Sequence, residues 1–152
     1  MKLNQLEKFF GSGIYTGYSP VASGTAGSLL ALLIYWIPGF EELYIIIPVT
    51  LLTLIFGIFV GTKFEYVYGK DPAECTIDEV VGTWVSLILL PKTLGISLTA
   101  FIIWRILDII KPHPARNVEK LNGGVGIMLD DVISGLYTFL IMHLLVYLTG
   151  IF

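Results

Sequence analysis

Apolar residues gather into five stretches of the chain, at about residues 24–37, 43–61, 77–90, 94–110 and 129–149, separated by Pro, Gly and charged positions. Roughly 20 apolar residues in a helix cross the roughly 30 Å of hydrocarbon in a bilayer. The second and fifth stretches approach that length, and Leu43 to Gly61 holds no charge. The first, third and fourth are shorter and end in Pro or charge, which predicts tilt or partial embedding. Pro38-Gly39, and Pro91 with Gly95, are turn signals, so stretches one and two, then three and four, read as helical hairpins. The expected fold is all-α, a multi-pass transmembrane helical bundle of about five membrane segments. No repeat, low-complexity tract or Pro- or Ser-rich linker divides the chain, which predicts one integral membrane domain over residues 1–152.

Composition sharpens this picture. Of 152 residues, 55% are hydrophobic and 14% charged, far more apolar than an average soluble domain. The competing reading is a soluble bundle with an unusually apolar core. Lys2, Lys8, Lys63, Lys70, Lys111, Arg116 and Lys120 fall on one side of the segments, and Lys92 alone on the other. By the positive-inside rule the first side is cytoplasmic, and Glu41, Glu42 and the C-terminus at Phe152 lie outside. The lipid bilayer is thus an expected partner, whereas a net charge of −3 argues against nucleic acid. The single cysteine, Cys75, excludes an intrachain disulfide and matches no paired metal spacing. Lys8 precedes Phe9, Phe10 and a Gly-rich stretch rather than a continuous apolar run, so no signal peptide is expected. Thr53, Gly57 and Gly61 form a small-residue stripe suited to internal helix packing or to the seam of a homodimer.

Four clusters, distant in sequence, reach the cytoplasmic face in this topology. Gly24-Thr25-Ala26-Gly27-Ser28 opens the first segment, where free backbone N–H groups and hydroxyls can hold a phosphate. The run lacks the Gly-Lys-Ser/Thr ending of a nucleotide P-loop, and an N-cap with close helix contact would account for it as well. Asp78-Glu79 opens the third segment, where Thr76 with Glu79 also fits a capping box. Arg105, Asp108 and Lys111, spaced by three, share a face at the end of the fourth. A charge near mid-bilayer costs about 2.5–3.5 kcal/mol, so such residues are seldom left without partners. An Arg105–Asp108 ion pair with Lys111 snorkelling is the structural alternative. The fourth cluster, Gly123 to Leu129, reads as a flexible loop delivering Asp130 and Asp131 to the start of the last helix. Beside Asp78, Glu79 and Asp108 this pair makes a concentrated negative pocket, which a hard divalent cation with oxygen ligands, most simply Mg²⁺, would relieve. Arg105 and Lys111 could then hold a phosphate beside the metal, so the combination points to phosphoester chemistry.

These segments also resemble a known family. Ser19-Pro20 through Gly24-Thr25-Ala26-Gly27-Ser28, Asp78-Glu79-Val80-Val81-Gly82-Thr83-Trp84, Arg105 through Pro114, and Gly123 through Asp131 are similar to phosphatidylglycerophosphatase A, over about residues 11 to 145. The resemblance implies Mg²⁺-dependent removal of the terminal phosphate from phosphatidylglycerophosphate, giving phosphatidylglycerol, in the bacterial inner membrane. The Ser-Gly-His and Arg-His motifs of type-2 phosphatidic acid phosphatases are absent, as is the CDP-alcohol phosphotransferase signature.

Glu79, Asp130 and Asp131, with Asp78, are the expected Mg²⁺ ligands, and Arg105 and Lys111 the expected phosphate ligands. Asp108 is either a metal ligand or the group that orients Arg105 and accepts a proton. The expected catalytic set is therefore Asp108, Arg105, Glu79 and Asp131. Thr25, Gly27 and Ser28 are candidate phosphate contacts, and His113 a candidate headgroup contact, whereas His143 on the apolar last helix reads as packing. Two rivals stay open: a small transporter or channel subunit, and a soluble phospho-ligand-binding member of the same fold. The transporter predicts charges spread through the membrane depth, whereas these gather at one face.

Overall fold

A computed structural model describes residues 2–150, which form seven helices and no strand. They are α1 (Gln5–Gly11), α2 (Ser23–Tyr35), α3 (Leu43–Tyr68), α4 (Ile77–Leu87), α5 (Leu94–Ile110), α6 (Ala115–Val118) and α7 (Gly124–Thr149). All five expected segments are helical. Length and composition support membrane crossing for two of them: α3 and α7 have 26 residues each, about 39 Å of rise, and are apolar enough to span. The shorter α2, α4 and α5 do not meet that test, so the number of spans supported is two rather than five. Phe152, expected on the outer side, lies outside the described residues.

The shortness of α4 has a local cause. Leu90 precedes Pro91, which disfavours helical backbone before it, and the chain is already extended at Ile88. The resulting helix of 11 residues, about 16 Å, is buried on nearly every face. It is enclosed by α2, α3, α5 and α7. One apolar cluster joins Val80, Trp84 and Leu87 to Ala31, Ala100 and Met142; a second joins Ile77, Val81 and Val85 to Val60, Phe64 and Met128. The Trp84 indole N–H donates to the Ala31 carbonyl at 3.0 Å, fixing α4 against α2.

Glycines set the close crossings. Gly57 leaves room for the Met128 side chain, and Gly61 faces the Gly124 backbone, so the stripe on α3 is taken up by internal packing on α7 at these two positions. Gly82 lies under the Trp104 ring, and Gly135 of α7 meets the Gly82 carbonyl.

This packing sorts the helix ends. The starts of α2, α4 and α7 and the ends of α3 and α5 gather at one end of the bundle. At the other, Lys92 after α4 binds Glu41 (2.5 Å) and the Ile37 carbonyl (3.0 Å) beside the α2–α3 turn. The first end is further pinned by α1, begun by a reciprocal cap between Asn4 and Glu7 (2.8 and 3.0 Å) and held to α3 by a Glu7–Lys63 ion pair at 2.5 Å.

Candidate active site

The first turn of α4 carries Asp78 and Glu79. Thr76 precedes the helix but does not cap it; its hydroxyl is 3.0 Å from that of Thr16. The capping box that was the structural alternative for Glu79 is therefore not formed, and Glu79 turns instead toward Gly24 at the start of α2 and Arg105 on α5. Gly24 has no side chain for a steric reason. A Cβ there would run into Glu79 Oε1 and come within 3.1 Å of Arg105 Nη2. Gly24→Ala should accordingly displace both groups and lower turnover about 10²-fold with helicity intact, read by phosphate release alongside circular dichroism.

Asp130 and Asp131 also sit differently from expectation. The segment before them is not a loop: α7 starts at Gly124, so the two acids lie in its second turn, about 10 Å along the axis. Gly124 and Gly126 belong to the helix and press against the carbonyls of Ile58 and Leu121, an approach only glycine permits. Successive residues of a helix point about 100° apart. Asp131 therefore faces α4 while Asp130 faces the end of α5.

The result on the α4 side is a group of three carboxylates, Asp78, Glu79 and Asp131, each offering an oxygen within 4.8 Å of the others. Asp78 and Asp131 are buried, and Asp78 Oδ1, Glu79 Oε2 and Asp131 Oδ2 lack any hydrogen-bond partner. Two like charges 4 Å apart repel by about 4 kcal/mol even at an effective dielectric constant of 20. A buried polar atom without a hydrogen-bond partner adds a further cost of about 1–3 kcal/mol. Oxygens placed this way suit a hard divalent cation, so the group could hold a metal ion.

Arg105 stands beside this group. Its Nη1 donates to Asp108 Oδ2 at 2.8 Å and lies 3.4 Å from the Ser28 hydroxyl, which itself donates to the Gly24 carbonyl at 2.7 Å. Ser28 thus positions Arg105 rather than offering a free donor. Asp108 lies against Asp131 as well as pairing with Arg105. Gly27 is buried on Thr76 and is a packing position.

Lys111 and Asp130 bind each other. Lys111 caps α5 in left-handed conformation (φ 48°), and its ammonium lies 2.6 Å from Asp130, 3.0 Å from Glu119 and 3.6 Å from Asp71. Burial works against that charge, but the hydrogen bond to Asp130 and the neighbouring acids hold its pKa above the usual lysine value. The structure therefore separates these two residues from the roles expected of them: Asp130 is not among the three grouped carboxylates, although its Oδ1 remains unpartnered. His113 is exposed and shares a surface recess with Lys111 and Arg116, away from the three acids. His143 is a packing residue as expected, with Nδ1 2.8 Å from the Phe139 carbonyl.

A cleft of about 590 Å³ opens onto Asp78, Glu79 and Arg105. One wall is the start of α2, where Ser23, Gly24 and Thr25 carry the backbone N–H groups that precede the first intrahelical bonds. The other is the segment before α4, including Asp71 and Cys75, which sequence reasoning did not assign to the site. Asp71 and Glu119 carried no periodic signal because both lie outside the long helices; the charge in Lys70-Asp71-Pro72, flanked by turn residues, was the available hint.

The sequence profile of the phosphatidylglycerophosphatase A family matches residues 9–146, a span that contains every residue of the cleft. The chain belongs to that family. It is a phosphatase accordingly. Phosphatidylglycerophosphatase A of Escherichia coli K12 is 33% identical over 81% of this chain and 73% of its own length. The enzyme of that name from Haemophilus influenzae is 30% identical over 91% and 85%. A Bacteroides thetaiotaomicron relative, 39% identical over 90% of this chain and 91% of its own, is provisionally described as a phosphatidylinositol-3-phosphatase. No solved structure is significantly similar to the chain.

Proposed function

We propose that this phosphatase hydrolyses the terminal phosphomonoester of phosphatidylglycerophosphate, giving phosphatidylglycerol and phosphate, with Mg²⁺ held by Asp78, Glu79 and Asp131. The supporting observation is a group of three carboxylates, each with a buried oxygen that has no partner, two of which line the cleft beside a tethered guanidinium. Bound there, the ion would polarise a phosphoryl oxygen and make water a better nucleophile at neutral pH. Arg105, fixed through Nη1, has Nη2 beside Glu79 and Gly24 to receive the phosphoryl oxygens, and the N–H groups of Ser23 to Thr25 face the same space. Asp108 orients Arg105 and stands next to Asp131, where it can accept the proton of an attacking water. Lys111 neutralises Asp130 and so favours the turn of α7 that aims Asp131 at α4.

The same reading sets α3 and α7 across the bacterial inner membrane with the acidic end at the cytoplasmic headgroups. A diacyl substrate would keep its tails in hydrocarbon while its phosphate reaches the cleft. The Bacteroides relative favours a second reading, a 3-phosphorylated phosphoinositide as substrate. Phosphate release by the purified protein from phosphatidylglycerophosphate, phosphatidic acid and phosphatidylinositol 3-phosphate in matched mixed micelles separates them. The largest kcat/KM belongs to phosphatidylglycerophosphate on the first reading. Faster cleavage of the phosphoinositide would replace it with the second, and cleavage of none would discard both.

A further inference from the structure

Besides the polar cleft, the bundle carries an apolar groove of about 450 Å³. It exists because α2 and α3, although consecutive, hardly touch each other and instead both pack on α4, which becomes its floor at Val80. Leu30 and Ile34 of α2 form one wall, Thr53 and Phe56 of α3 the other, and Phe10 closes it toward the acidic end. Three features together identify its occupant. The groove interrupts a continuous apolar surface, since α2 and α3 turn Leu33, Ile55 and Phe59 outward, each more than half exposed, and α3 is one of the two helices long enough to span. Among the residues lining it only Gly13 and Thr53 are not large apolar side chains, so water has too few polar partners to fill it. Finally, its floor and the acid group are built from successive residues of one helical turn: Ile77 lines the groove while Asp78 faces the cleft.

We infer that this groove holds one acyl chain of the lipid substrate while the phosphorylated headgroup occupies the cleft. The inference rests on the lipid phosphatase reading and extends it. Recognition of the tail would fix the depth and direction from which the phosphate approaches Arg105, so that affinity from a remote part of the substrate is used to orient the reacting one.

The test compares phosphatidylglycerophosphate carrying short chains, about six carbons, with the same lipid carrying long ones, about sixteen, in detergent micelles. Thr53→Trp and Leu30→Trp fill the groove from opposite walls, and Leu33→Trp on the outer face of α2 serves as control. Both filling variants should lose about tenfold in kcat/KM on the long-chain lipid, mainly through KM, and keep wild-type rates on the short-chain one. The control should match wild type on both. Equal losses on the two lipids, or no loss on either, would overturn the groove assignment while leaving the phosphatase reading intact. Wild-type protein that releases phosphate from neither lipid would remove that reading, and the groove assignment with it.

Discussion

Replacing Asp131 by Asn should lower phosphate release on the order of a thousandfold, about 4 kcal/mol of transition-state stabilisation, without loss of fold. The size follows from its place. Asp131 brings α7 to the two acids of α4, and its Oδ2 is one of the three buried oxygens with no protein partner. Asn keeps the shape and removes one of the repelling charges. The metal-free variant should therefore melt above metal-free wild type, while the rise in Tm that Mg²⁺ gives wild type should largely disappear. At a hundred times the Kd that rise corresponds to about 2.7 kcal/mol. A variant that melts lower and still gains from Mg²⁺ would assign Asp131 to structure rather than to the ion. Thermal unfolding in detergent with and without the cation, next to the activity assay, distinguishes these outcomes.

The second large effect is expected at Arg105. Arg105→Lys keeps a positive charge near Glu79 but loses the planar fork that pairs with Asp108 on one side and offers donors to the cleft on the other. A loss of about 10²-fold in kcat/KM is expected, shared between KM and kcat because ground-state and transition-state phosphoryl groups both use the fork. Were the pair only a structural salt bridge, stability would fall and kinetics would not.

The sequence made the five principal helices legible because each is a long apolar run between Pro, Gly or charge. It made Asp78, Glu79, Arg105, Asp108 and Asp131 legible because ionisable residues are rare in such runs and these recur at their ends. What it misjudged depended on contacts. Thr76 has the right spacing to Glu79 for a cap, yet its hydroxyl is taken by Thr16, sixty residues away in sequence. Gly123 to Gly126 reads as a flexible loop by composition, but close packing on Ile58 and Leu121 makes Gly124 and Gly126 helical and moves both acids inward by two turns. Asp130 and Asp131 look equivalent in sequence; rotation about the α7 axis sends one to Lys111 and the other to the metal-competent group. The brevity of α4 was readable in part, since the third apolar stretch is short and ends at Pro91. Of the missed elements, α1 had a signal in Asn4 and Glu7, a capping-box pair three residues apart.

The convergence of α4 and α7 on one divalent cation is tested most directly by stripping purified protein with chelator, assaying phosphate release from phosphatidylglycerophosphate, and titrating Mg²⁺ back. Negligible release is expected from the stripped wild type, with saturable recovery on adding Mg²⁺ and no recovery for Asp131→Asn at the same concentrations. Undiminished release by the wild type in excess chelator would contradict it.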